Sequence, residues 1–104
     1  MSLKQKPLLP TLKEKKRYIT YQAHSKETIT GKTIVTTLNS ILGSLDAAEA
    51  GLVPITHDEA TNQGIIRTSL KAANKTRMAM LLTKEIMIQP LKTSGVLKKA
   101  KQTL

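Results

Sequence analysis

The chain has no cysteine, no tryptophan and no phenylalanine, and its only aromatic residues are Tyr18 and Tyr21. Without cysteine there is no disulfide scaffold, no zinc ribbon and no thiol nucleophile. Two tyrosines leave little room for a function that depends on stacking. Acids are scarce as well: seven Asp and Glu stand against seventeen Lys and Arg in 104 residues, for a formal charge of +10. No apolar run approaches the ~20 residues of a membrane span, and the lysine-studded start lacks the apolar core of a signal peptide. A cytoplasmic protein with no membrane contact is the expectation. What remains is one domain's worth of chain, able to bury roughly 65% of its unfolded surface. Its charge favours a polyanionic partner.

That charge is concentrated at the ends. Residues 1–17 carry six cations against Glu14, and residues 92–104 carry Lys92, Lys98, Lys99 and Lys101 with no acid. Between them, seven basic residues nearly cancel six acidic ones. If the fold brings the two ends to one side, they form a single positive patch. The plainer explanation, tails that keep a small protein soluble, does not require so uneven a distribution.

The spacing of apolar residues predicts the elements. Residues 1–16, with Pro7, Pro10 and dense lysine, read as a basic N-terminal arm, disordered over residues 2–12 in the isolated chain. Residues 17–24 alternate as a half-buried strand, with Ile19, Tyr21 and Ala23 on one face and Tyr18, Thr20, Gln22 and His24 on the other. Ile34, Val35, Leu38, Ile41, Leu42 and Leu45 recur at helical spacing, predicting a helix over 33–45 followed by a small-residue connection over 46–51. Residues 52–57 and 65–69 read as strands around a turn. A second helix over 71–84 is expected to bury Met78, Leu81 and Leu82. A fourth strand spans 86–91. Ser94 is then positioned to cap a short basic helix with Val96, Leu97 and Ala100 inward and Lys98, Lys99 and Lys101 outward.

The order β-α-β-β-α-β is the ferredoxin-like, RRM-like α+β arrangement over residues 17–92, with residues 93–104 as a C-terminal basic helix. Right-handed crossovers place the antiparallel strands in the order 4-1-3-2. The edges are then the two strands that contain Pro54 and Pro90, where a missing amide is tolerated.

Several segments resemble motifs that carry chemistry. Thr30-Gly31-Lys32-Thr33 resembles the end of a phosphate-binding loop, but the glycine needed five residues before the Gly-Lys pair is Lys26, so a helix start is the simpler account. His57, Asp58 and Glu59 share a turn, and His24 lies on the first strand; none has the helical spacing of a metal site. The third strand, from Gly64 to Ser69, has no aromatic where a base-stacking RNA-recognition motif needs one. Tyr18 and Tyr21 point to opposite faces, so one at most could stack. Tyr21 reads as core and Tyr18 as surface or partner interface.

Four segments together resemble the archaeal ribonuclease P protein component 2 family, which has eukaryotic relatives in nuclear RNase P and MRP. They are Leu9-Pro10-Thr11-Leu12-Lys13-Glu14-Lys15-Lys16-Arg17-Tyr18-Ile19, Asn62-Gln63-Gly64-Ile65-Ile66-Arg67, Arg77-Met78-Ala79-Met80-Leu81-Leu82, and Ser94-Gly95-Val96-Leu97-Lys98-Lys99. The first is the most specific. The resemblance implies a protein subunit of the ribonucleoprotein that removes the 5′ leader from precursor tRNA. It also implies that the catalytic groups belong to the RNA and its bound Mg²⁺, with no catalytic residue or cofactor on this chain. The implied partners are the RNase P RNA and protein component 3, in a dimer of heterodimers.

On this view Lys13, Lys15, Lys16, Arg17, Lys98, Lys99 and Lys101 replace counterions along packed RNA phosphates. Arg67 and Arg77 are candidates for bidentate phosphate contacts, unless each is paired internally with Glu49 or Glu85. Two other classes stay open: a small ribosomal-type RNA-binding protein, and a non-RNA ferredoxin-like dimeric regulatory domain. A small hydrolase built on His57 or Asp58 comes last.

Overall fold

The computed structural model describes residues 15–84 and 86–102. Its elements are β1 (Lys16–His24), α1 (Gly31–Ala50), β2 (Val53–Asp58), β3 (Gln63–Ser69), α2 (Ala73–Leu81), β4 (Met87–Ser94) and α3 (Leu97–Gln102). The four strands are antiparallel in the order β2-β3-β1-β4, the predicted ferredoxin-like topology. Most of the predicted basic arm, including Lys13, lies outside the described residues.

The alternation in β1 does what its pattern dictates. Ile19, Tyr21 and Ala23 are buried on one face, where Ile66 of β3 and Ile88 of β4 join them. Ile34 and Leu38 of α1 and Ala79 and Met80 of α2 close this core from above. Pro54 and Pro90 do lie on the edge strands, and each sits beside a register shift: between Pro54 and Thr56 in β2, and opposite Thr20/Tyr21 for β4. A proline that cannot donate to the ladder is accommodated where the ladder is already interrupted.

The opposite face of the sheet is also covered in part. Thr20 points away from the core, yet it is fully buried, because its hydroxyl donates to the carbonyl of Ala100 in α3 at 3.1 Å. The architecture is therefore three-layered, with α1 and α2 on one face and α3 across β1 and β4 on the other.

Several expectations are corrected. Helix α1 runs to Ala50, so residues 46–50 are helical rather than a connection. Their small side chains suggested a loop, but alanine is the best helix former. The helix is kinked at Gly43, whose φ of 83° interrupts the spiral; Leu45, beyond the kink, is 88% exposed instead of continuing the apolar stripe. Gly51, with a φ of 55°, closes the helix by donating to Ala47 O at 3.0 Å.

Helix α2 is shorter than predicted and turned differently. It buries Ala73, Thr76, Ala79 and Met80, whereas Met78, Leu81 and Leu82 are each more than 60% exposed. Small residues let the helix approach the sheet closely, and Thr76 secures it with hydroxyl contacts to Ala72 O at 2.9 Å and Thr68 Oγ1 at 3.3 Å. In α3, Ala100 is buried and Leu97 half-buried as predicted, but Val96 precedes the helix and is exposed. Strand β4 continues to Ser94, three residues beyond its expected end.

Candidate nucleic-acid interface

Strand register gathers the basic residues at one end of the sheet. The start of β1 pairs with the end of β3, Arg17 opposite Thr68 and Tyr18 opposite Arg67. On its other side Tyr18 is opposite Ser94, the end of β4. Antiparallel pairing thus brings the first basic segment beside the last one.

The join is tight. The Arg17 guanidinium lies over Gly95, so close that a Cβ there would be 3.0 Å from a guanidinium nitrogen, and it donates to Lys16 O at 2.9 Å. Ser94 turns the chain into α3: its hydroxyl accepts from Val96 N at 3.1 Å. With Ala100 against the sheet, Lys98, Lys99 and Lys101 all face solvent. Lys99 and Lys101 also lie in the last turn of α3, where cations offset the helix dipole, a purely structural benefit.

At the same end, Lys15 is exposed and its carbonyl accepts from Leu70 N at 2.9 Å, fixing the chain just before β1; Lys16 is half-buried. Arg77 of α2 reaches Thr93 Oγ1 at 3.3 Å and also bonds Asn74 Oδ1. Arg67 makes no hydrogen bond or ion pair among the described residues, and its Nε is shielded from solvent without an acceptor. Neither arginine pairs with Glu49, and Glu85 lies outside the described residues. Tyr18 is half-buried on the outer sheet face.

Lys71 was missed in the sequence. It is exposed two residues beyond β3 and joins this end only through the register, which a linear charge count does not reveal. Three of the described acids, Glu27, Asp58 and Glu59, belong to the opposite end, and Asp46 is bound to Lys75 at 3.2 Å.

The other candidate motifs take structural places. Thr30 caps α1, its hydroxyl accepting from Thr33 N at 3.3 Å, the helix start that the missing loop glycine suggested. Asp58 Oδ1 accepts from Ala60 N at 2.9 Å, holding the β2–β3 turn. His57 is hydrogen-bonded to the core phenol of Tyr21 at 2.6 Å. Among the described residues, no three His, Asp or Glu side chains are grouped to hold a metal. A surface groove of about 1060 Å³ lies at the far end, between His24, Glu27, Thr33 and Lys84, and includes none of the predicted site residues. No helix among the described residues is long and apolar enough to cross a membrane.

Comparison with known proteins agrees with the resemblance noted in the sequence. Ribonuclease P protein component 2 of Thermococcus gammatolerans is 34% identical over 98% of this chain and 92% of its own length. The proteins of the same name from Thermococcus kodakarensis and Pyrococcus abyssi are 32% and 30% identical, over 98% and 96% of this chain and 92% of each relative. A model of the Rpp14/Pop5 family matches residues 10–104. The chain belongs to the Rpp14/Pop5 family.

Proposed function

We propose that this chain is a protein subunit of ribonuclease P, binding and stabilising the RNA that cleaves the 5′ leader from precursor tRNA. The observation that carries the proposal is the convergence of the two basic segments, Arg17 lying against Gly95 at the junction of β4 and α3. The surface presented there combines Lys15, Lys16, Arg17, Lys71 and Arg77 with the exposed lysines of α3. Closely packed phosphates meeting such a surface shed their counterions, which favours binding entropically. Lys13 belongs to the same basic run of sequence.

On this reading the chain supplies RNA contacts and no catalytic group. The chemistry belongs to the RNA and its Mg²⁺, and the chain itself binds no cofactor. Protein component 3 is its partner in a dimer of heterodimers, and the assembly works in the cytoplasm. The exposed apolar residues Met78 and Leu81 of α2, with Leu82 just beyond it, are available for protein contacts.

The test is precursor-tRNA cleavage by a matching RNase P RNA at limiting Mg²⁺, with component 3 present and this chain added or omitted. Cleavage should depend on the chain and weaken when Lys15, Lys16 and Arg17 are replaced by alanine. Cleavage that is indifferent to the chain would overturn the proposal.

A further inference from the structure

We infer that Tyr18 and Arg67 form a binding site for one unpaired nucleotide of RNA, the base lying on the phenol ring and its phosphate held by the guanidinium fork. The inference rests on the reading of the chain as an RNA-binding subunit and adds to it a single-stranded target.

The two residues are direct cross-strand partners on β1 and β3, the central strands of the sheet. Partners in this relation have Cβ atoms about 5 Å apart and share a face. Theirs is the outer face, because Ile19 and Ile66, the next pair along, are buried in the core on the other side. Helix α3 covers Thr20 on this face but leaves Tyr18 and Arg67 half-buried.

Arg67 is held without being neutralised. Its Nε is shut off from water and its terminal nitrogens are not, and none of the three has a hydrogen-bond partner among the described residues. An arginine fixed by packing, with an open and unpaired fork, has already lost the side-chain freedom that binding would otherwise cost. Of the described acids, Asp46 is bound to Lys75, Glu27, Asp58 and Glu59 lie at the other end of the sheet, and Glu49 is exposed on α1 and pairs with neither arginine. The fork therefore suits an anion from outside, and a planar pair of donors matches a phosphate.

Tyr18 supplies the second half. Tyr21 is fully buried, so Tyr18 is the chain's one phenol ring at a surface. A base can lie on it only when unstacked from its neighbours, as in a loop or bulge; within a duplex both faces of the base are occupied. A phosphate contact beside a stacking ring thus selects single-stranded RNA, whereas the lysine surface nearby responds to phosphate density alone.

The experiment measures binding of the full-length chain to octauridylate and to an RNA duplex of eight base pairs. Tyr18→Ala should weaken octauridylate binding about tenfold, the size expected for one stacked base, and leave duplex binding unchanged; Tyr18→Phe should bind as the parent does. Arg67→Lys, which keeps the charge and loses the fork, should weaken octauridylate selectively. In a Tyr21→Phe background, octauridylate should quench the fluorescence of Tyr18.

Equal loss on both probes, or none, overturns the site, as does Arg67→Lys binding like the parent. If both variants instead weaken binding to component 3 and spare RNA, the pair faces protein and the inference is wrong. Replacing Lys15, Lys98 and Lys99 with alanine separates the two proposals. Loss on both probes there, with Tyr18→Ala silent, leaves the RNA-binding subunit standing without this site; no loss in any variant removes both.

Discussion

The phenol oxygen of Tyr21 and Nδ1 of His57 share a hydrogen bond of 2.6 Å, with the rings 5.8 Å apart and 20° from parallel. The two residues sit on β1 and β2, which are not neighbours; β3 runs between them, and the residue opposite both is Gly64. The bond crosses β3 over a position with no side chain. A Cβ at Gly64 would lie 2.5 Å from both the Tyr21 hydroxyl and the carbonyl oxygen of Thr56. His57, which in the sequence invites a catalytic role, is the outer end of a core clasp.

Gly64→Ala should therefore destabilise the fold by about 2 kcal/mol or more, as overpacking against backbone does. Adding Tyr21→Phe removes the hydroxyl clash but leaves the Thr56 oxygen and the ring Cζ, 2.7 Å from the new Cβ, in place. The double variant should remain well below Tyr21→Phe alone in urea-unfolding midpoint. Equal midpoints would show that the strand simply shifts to admit the methyl group.

Burial raises the pKa of Tyr21 well above its ordinary value of 10.0. The folded state then keeps its proton at pH values where the unfolded chain releases it. The stabilising difference is fully present below about pH 10 and is lost above it, at up to about 1.4 kcal/mol per pH unit. The free energy of unfolding measured from pH 9 to 11 should fall less steeply in Tyr21→Phe than in the parent. Parallel curves would contradict a buried, protonated phenol.

The two helices give opposite expectations for leucines of similar appearance in the sequence. Leu38 is fully buried, and Leu38→Ala should cost about 2–5 kcal/mol. Leu82 is 63% exposed, and Leu82→Ala should change stability by less than about 0.5 kcal/mol. Comparable losses in thermal unfolding would mean that α2 turns its large residues inward after all.

Ala100 is the residue by which α3 sits on the sheet. Ala100→Glu places a charge where there is no water and should lift the helix off, at about 1–3 kcal/mol. Amide exchange in α3 should accelerate while β1 and β3 keep their protection. Uniform acceleration throughout the sheet would instead make α3 part of the global core.

If the basic end neutralises about six phosphates, the log–log dependence of RNA affinity on salt should be steeper than about −4. Replacing Lys98, Lys99 and Lys101 with alanine should flatten it by two to three units, at about one unit per phosphate contact. A slope unaffected by the triple change would remove α3 from the interface.

The elements easiest to read in the sequence were those whose large apolar residues also do the packing. The alternation of Ile19, Tyr21 and Ala23 gave β1 its inner face, and the spacing of Ile34 and Leu38 gave α1 its own. Right-handed crossovers gave the strand order, and the two prolines agreed with the edges it implies. Helix α2 misled because its contact face is made of Ala73, Thr76 and Ala79, residues whose small size matters only once a sheet is beneath them. The kink at Gly43 was hidden inside a good apolar repeat. Thr20 falls on the strand face away from Tyr21, and its burial there depends on Ala100, eighty residues ahead. At the basic end, each cation was visible singly, but the company of Lys71, Arg17 and Gly95 follows from register.

The prolines that mark the edges also limit how this molecule can be joined to others. Each outermost strand offers an incomplete row of amide donors, broken where its pairing inside the sheet is irregular too. A proline and a register irregularity on each outer strand both discourage a further strand from another chain from extending the sheet. Attachment within a larger particle falls instead to side chains, and side chains can be changed one at a time without rebuilding the scaffold that carries them.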